Sequence, residues 1–273
     1  MSSLATPTVS PGTPESAWRQ SGTGVAGTVL MLHSLGLDAR AFDGIRAALP
    51  DDWHIVSFDQ RGHGKAAATA ARSLDELVDD ACQVIDSCTA RQVHLVGHSM
   101  GGAVAALCAA RLGPRVASLA LIATPAAGFP AFNARAQVAI EEGMQTAIPA
   151  TLERWFGAEP VQSEAGAIAY AQDALSEMAP TGFAAAWRAL ANFEGYQPIG
   201  QKLPRTRLIA GVRDLSTPPS SMRSIFNTLI AAGAQPTPVF DEIDDAGHML
   251  VLTHAPAVAA SLQTHWLSAV RQL

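Results

Sequence analysis

The sequence predicts an α/β fold, a mostly parallel sheet with helices on both faces and an inserted, all-helical segment. Three observations predict it. Short, largely apolar, partly β-branched runs recur along the chain, the pattern of strands buried on both faces of a parallel sheet. Stretches with helical spacing alternate with them, as crossover connections require. The alternation stops between residues 126 and 203, where the periodicity is helical and proline supplies the punctuation.

The elements follow in order. Residues 28–32 (TVLML) read as a first strand and 54–58 (HIVSF) as a second. Ser73 and Glu76 have capping-box spacing, and Leu74, Leu77, Val78, Ala81, Val84, Ile85 and Cys88 then repeat along one helix face. Residues 93–96 (VHLV) form a third strand that feeds through Gly-rich sequence into an Ala-rich helix ending at Leu112, where Gly113 and Pro114 stop it. Residues 116–122, 208–212 and 238–243 supply three more strands, and Pro256 sits where the first turn of a closing helix over 255–270 tolerates it. The insertion carries Trp155 and Trp187 with Phe129, Phe132, Phe156 and Phe193, and Pro149, Pro160, Pro180 and Pro198 divide it into several short helices. A helical insertion after a strand is expected to act as a lid. The expected organisation is a disordered leader over 1–15, a core from 16–125 and 204–273, and a lid over 126–203.

Composition excludes whole classes of function. Of 273 residues, 48% are hydrophobic and 15% charged, so most of the chain must fold around a core. The net charge is −6 without a Lys/Arg cluster, which argues against nucleic acid as a partner. Cys82, Cys88 and Cys108 are odd in number and lie in apolar helical patterns, so no disulfide framework is expected and a reducing compartment fits. No metal-ligand spacing is present, and no metal site is expected. The Ser/Thr/Pro-rich start, Met1 to Glu15, lacks the basic and apolar regions of a signal peptide, and no apolar run approaches the twenty residues needed to span a bilayer. The expected setting is soluble and cytoplasmic; the oligomeric state is left open.

Gly97-His98-Ser99-Met100-Gly101-Gly102 follows the third strand and opens a helix. In that context Gly-x-Ser-x-Gly forms a nucleophile elbow, with small neighbours because strand and helix approach too closely for side chains. A serine hydroxyl needs a base to take its proton and a third group to hold that base. His248, in the loop after the last strand, is the candidate base. His254 is a rival beside a helix start, and His98 adjoins Ser99 so closely that its ring points elsewhere into packing. Asp214, after the 208–212 strand, emerges at the same sheet edge as Ser99; Asp241, Asp244 and Asp245 are too near His248 along the chain to reach its far ring nitrogen. An oxyanion formed at the site needs donors worth roughly 3–4 kcal/mol each. The backbone N–H groups of Met100 and Leu35 are the candidates, Leu35 lying in the turn after the first strand.

These residues resemble the α/β-hydrolase superfamily over most of the chain. Phe58-Asp59-Gln60-Arg61-Gly62-His63-Gly64 looks like its structural Asp-x-Arg-Gly-x-Gly turn, and residues 211–218 look like its acid-bearing turn. Ser34-Leu35-Gly36-Leu37-Asp38 and Thr151-Leu152-Glu153-Arg154-Trp155-Phe156 are similar to the 3-oxoadipate enol-lactonases, although His33 stands where those tend to carry Asn and Lys65-Ala66 where a Ser commonly follows. A serine at position 99 departs from the related dehalogenases and epoxide hydrolases, which attack with Asp. The resemblance implies a hydrolase of carboxylic esters or lactones that uses Ser99, His248 and Asp214 without a cofactor, with a small-molecule substrate as its partner. For a substrate bearing a carboxylate, Arg135, Arg154 and Arg188 are candidate lid cations. Trp155 and Trp187 are candidate pocket walls, and His33 and Ser34 further candidate contacts. Two other readings stay open: a non-catalytic ligand receptor on the same fold, and a perhydrolase or non-haem haloperoxidase-like enzyme.

Overall fold

The computed structural model describes residues 17–158 and 161–270, so the expected leader over 1–15 lies outside the described residues. Seven strands form one sheet: β1 (Trp18–Ser21), β2 (Gly27–Leu32), β3 (Trp53–Phe58), β4 (Val93–His98), β5 (Val116–Ile122), β6 (Arg205–Gly211) and β7 (Val239–Ile243). Their spatial order is β1-β3-β2-β4-β5-β6-β7, with β1 antiparallel to β3 and every other pairing parallel. Ten α-helices accompany them among the described residues: α1 (Asp43–Ala48), α2 (Leu74–Ser87), α3 (Met100–Leu112), α4 (Pro130–Glu141), α5 (Met144–Phe156), α6 (Ala165–Ser176), α7 (Pro180–Ala191), α8 (Pro219–Ala231), α9 (Leu250–Thr253) and α10 (Ala255–Val270).

The largely apolar character of the strands is explained by burial on both faces. Along β2, Leu30 and Leu32 point into one core with Phe58, Leu95, Leu121 and residues of α2, α3 and α8. Val29 and Met31 point into the other, against Ile45 of α1, Leu250 of α9 and Val258, Leu262 and Trp266 of α10. Each such side chain contributes roughly 1.5–3 kcal/mol by leaving water, so a polar residue on either face would be costly. The helical insertion, α4 to α7, lies between β5 and β6, with α4 packed on α7.

Several expectations need correction. β1 was not expected: it is a four-residue edge strand of polar character whose pairing with β3 comes from its backbone. α1, α8 and α9 were also missed, though Pro219 at the start of α8 and buried Met222, Ile225 and Leu229 are a readable helical signal. Pro149 does not divide the insertion, because α5 runs through it while burying Met144, Ala147, Thr151 and Trp155. Packing there outweighs roughly 3 kcal/mol of proline penalty. The capping box at α2 is only half formed. Ser73 Oγ accepts the Glu76 N–H, but the Glu76 carboxylate accepts from the Arg72 N–H and guanidinium instead of the Ser73 N–H.

Candidate active site

The chain runs outward from β2 in both directions, so β2 and β4 flank the point where strand order reverses. A crevice forms beyond the carboxyl ends of strands at such a point. Ser99 follows β4 there as the N-cap of α3, with φ 53° and ψ −117°. A non-glycine residue in this region costs roughly 1–3 kcal/mol and persists only where neighbours hold it. Three hydrogen bonds do so: Ser99 N–H to Ile122 O at 2.9 Å, Gly102 N–H to Ser99 O at 2.9 Å, and Thr124 Oγ1 to Ser99 O at 2.7 Å. A Cβ on Gly97 would overlap the Gly101 carbonyl, and one on Gly101 would overlap the Leu32 carbonyl. Only glycine permits strand and helix to cross this closely.

Asp214 follows β6 and His248 follows β7, and their loops are laced together. The Val212 N–H donates to Ile243 O at 3.1 Å and the Arg213 N–H to Ala246 O at 2.8 Å. As a result the Ser99 hydroxyl donates to His248 Nε2 at 3.1 Å, and His248 Nδ1–H donates to Asp214 Oδ2 at 2.9 Å. Asp214 Oδ1 also accepts the backbone N–H groups of Ser216 and Thr217 at 2.7 and 2.8 Å, and Oδ2 accepts the Thr217 hydroxyl at 2.6 Å. Burial alone would raise the Asp214 carboxyl, but the charge and hydrogen bond of His248, with the Thr217 donors, outweigh it and hold the acid below its ordinary value. The arrangement can draw a proton from Ser99 toward an imidazole whose far side faces a fixed carboxylate.

The two backbone N–H groups expected to receive an oxyanion lie in two turns. Met100 N–H opens α3 and has no intrahelical partner. The Ser34 carbonyl accepts from His33 Nδ1–H at 2.8 Å and from the Leu37 N–H at 3.2 Å. Because the peptide is planar and trans, the Leu35 N–H points opposite that clamped carbonyl. Ser34, Leu35, Ser99 and His248 line one pocket.

A family profile described as the alpha/beta hydrolase family matches residues 29–261. The chain belongs to the alpha/beta hydrolase family. A 3-oxoadipate enol-lactonase of Acinetobacter baylyi is 27% identical over 192 residues, covering 69% of this chain and 72% of that protein. A pimeloyl-[acyl-carrier protein] methyl ester esterase of Chromobacterium violaceum is 26% identical over 246 residues, 87% of this chain and 93% of the relative. The crystal structure of the enol-lactonase from Burkholderia xenovorans superposes with a TM-score of 0.81 at 27% identity, over 91% of this chain and 95% of that one.

Within this alpha/beta hydrolase the remaining candidates separate. Arg135, Trp155 and Trp187 line the pocket with Phe132, Pro125, Leu190, Ser216 and Thr217. Its free volume is about 20 Å³, room for roughly one water. The Trp155 ring lies 6.5 Å from that of His248. His33 does not line it. Its ring is fully buried, donating from Nδ1 to Ser34 O and accepting the Gln60 N–H at Nε2 at 2.9 Å, so both nitrogens are committed to the turn. Arg188 is exposed and also outside the lining, as is Arg154, which donates to Thr151 Oγ1 at 2.9 Å. His254 contacts Thr253 and precedes α10, Asp241 pairs with Arg207, and Asp245 pairs with Arg213. Asp59 accepts the Ala39 and Lys65 N–H groups in a structural turn.

Two residues near the site escaped sequence reading. Thr217 Oγ1 lies 3.2 Å from His248 Nδ1 while donating to Asp214, and only its place three residues beyond Asp214 in the acid turn hinted at this. His98 was expected to pack; it is buried and also donates from Nε2 to the His248 carbonyl at 2.9 Å. Among the described residues, no group of three or more His, Cys, Asp or Glu could hold a metal ion, and no helix is long and apolar enough to cross a membrane.

Proposed function

We propose that this alpha/beta hydrolase is a serine hydrolase of carboxylic esters or lactones, of the 3-oxoadipate enol-lactone type, and that α4 to α7 are its lid. The observation that carries the reading is the continuous line of hydrogen bonds from the Ser99 hydroxyl through His248 to Asp214. Ser99 Oγ attacks the substrate carbonyl as His248 Nε2 takes its proton, and Asp214 stabilises the imidazolium. The Leu35 and Met100 N–H groups receive the oxyanion, in the positive field of the α3 N-terminus. His248 returns the proton to the leaving oxygen, which in a lactone stays tethered to the acyl group. Water, deprotonated by His248, then releases the acid and restores Ser99. Every step uses side chains, backbone and water.

Arg135 supports a substrate with a carboxylate. Its guanidinium lies 4.8 Å from the Trp187 ring centroid and 5.3 Å from that of Phe132, and no carboxylate pairs with it among the described residues. Burial lowers its pKa, so the cation is held partly desolvated and without a counter-charge. Burial and nearby Arg135 bring Arg154 down to about 10, so the lid concentrates positive charge beside the pocket. The Trp187 indole N–H is also buried without a partner. A cation on α4 and a free donor on α7 match the demand of a carboxylate for charge-assisted hydrogen bonds. The relatives named above, two enol-lactonases and an ester esterase, are consistent with that chemistry.

The test is turnover of small lactones and aryl esters, with and without a free carboxylate, by the wild-type chain and by Ser99→Ala, together with fluorophosphonate labelling. The expected result is labelling of Ser99 alone, preference for the carboxylate-bearing lactone, and loss of all turnover in a folded Ser99→Ala protein. Turnover retained by that variant would overturn the assignment.

A further inference from the structure

Two thiols face one another between α2 and α3 and take no part in the chemistry above. Cys82 on α2 and Cys108 on α3 are both free, and their sulfur atoms lie 3.3 Å apart. A disulfide closes at about 2.05 Å, so the remaining gap is within the reach of small side-chain rotations. The two positions differ in access: Cys108 is fully buried, whereas Cys82 is 8% exposed at the edge of the core. Cys88 is set apart, its thiol donating to Val84 O at 3.3 Å. The electrostatics are also asymmetric. The hydrogen bond from Cys108, with the Arg111 guanidinium, favours the Cys82 thiolate, while that same contact and burial disfavour ionisation of Cys108.

We propose that Cys82 and Cys108 form an oxidisable dithiol, which hydrogen peroxide converts to a disulfide joining α2 to the helix that carries the nucleophile. The Cys82 sulfur attacks one peroxide oxygen and the O–O bond breaks, leaving a sulfenic acid at Cys82 and releasing water. The Cys108 sulfur then attacks the Cys82 sulfur and the S–O bond breaks. The hydroxyl leaves with the Cys108 proton as a second water. Two thiols and one peroxide thus become one disulfide and two waters. Cys82 receives the oxidant because it alone of the pair reaches the surface, and Cys108 resolves it because no other thiol is adjacent. The bridge would span 26 residues and staple two packed helices without touching Ser99, His248 or Asp214.

The experiment treats the reduced full-length chain with hydrogen peroxide, quenches it, unfolds it in an alkylating agent and maps the peptides. The expected result is loss of two of the three alkylatable thiols, a mass lower by about 2 Da, and a dithiothreitol-sensitive link between the peptides holding Cys82 and Cys108. Cys88 should remain alkylatable. Thermal melting of the oxidised chain should rise by several degrees, since the closed loop restricts the unfolded ensemble. Cys82→Ser and Cys108→Ala should each abolish the link and the shift while leaving the hydrolytic rate of untreated protein unchanged. Three alkylatable thiols after treatment, oxygen added at Cys82 without a link, or a link that uses Cys88 would each overturn the proposal. Because the readout is peptide chemistry, it stands or falls independently of whether the protein hydrolyses esters.

Discussion

His98 donates its Nε2 proton to the backbone carbonyl of His248 at 2.9 Å, so the residue before Ser99 anchors the loop that carries His248. Burial, then the proximity of His248, pushes the His98 pKa down to about 3, and its ring remains neutral wherever the enzyme would work. His98→Ala should lower kcat by roughly tenfold, the equivalent of one hydrogen bond of about 1.4 kcal/mol. His98→Gln, which keeps a donor, should recover part of that loss. The pH profile of kcat/KM should keep its shape in both variants, and a displaced acid limb would show that His98 itself titrates.

The acid is held by more than the imidazole. Asp214→Asn should cut kcat by roughly a thousandfold or more, because the amide can no longer fix the tautomer and charge of His248. Thr217→Val removes only the hydroxyl that donates to Asp214 Oδ2, and a loss of roughly three- to tenfold is expected. Steady-state kinetics on one aryl ester compares the two. Equal losses would mean that the hydroxyl matters as much as the carboxylate.

The Arg135 cation should govern substrate choice. Arg135→Met should raise KM for a carboxylate-bearing lactone by roughly ten- to a hundredfold, the worth of a charge-assisted hydrogen bond. KM for a neutral ester of similar size should barely move. A uniform increase for both substrates would point to a damaged pocket and not to a lost counter-charge.

Acid should unfold the protein well above the carboxylate range. Burial is the largest cause that holds His63, His98 and His265 at about 3 and His94 at about 4. Below pH 6.5 the unfolded chain takes up protons that the folded chain refuses, so stability is full above that pH and falls as pH drops toward the folded values. Each histidine contributes a slope of up to about 1.4 kcal/mol per pH unit. Melting temperature should fall by about 10 °C or more between pH 7 and pH 5. A flat dependence across that interval would show that these rings already bind protons in the folded state.

Glycine substitutions should divide by location. At Gly101 a Cβ would meet the Leu32 carbonyl, so Gly101→Ala should cost roughly 2 kcal/mol or more and disturb Ser99. At Gly166, near the start of α6, nothing lies within 4 Å of the added atom. Gly166→Ala should be neutral or stabilising by up to about 1 kcal/mol. Urea denaturation of the two variants measures the contrast.

What was legible in the sequence follows from how local each signal is. The apolar runs of β2, β3 and β5 announce themselves because both faces of those strands are buried, which leaves no polar alternation to confuse them. Ser99, Asp214 and His248 could be nominated because each follows a strand and each residue type has few competitors at that edge; the structure brings their atoms within hydrogen-bonding distance. β1 was invisible because its pairing is a property of backbone meeting β3, not of its side chains. The His98 bond joins residues 150 positions apart, and no local pattern encodes that meeting. His33 shows the reverse difficulty. A polar residue beside a catalytic turn reads as a ligand contact, yet both ring nitrogens are spent on the turn's own backbone.

Asp214 and His248 follow the last two strands, β6 and β7, far downstream of Ser99, to which they are linked by hydrogen bonds. A chain ending before β6 would lack both groups that the proposed mechanism sets beside Ser99. On the proposed mechanism, turnover would therefore begin only once the C-terminal segment has docked, and activity would report completed folding.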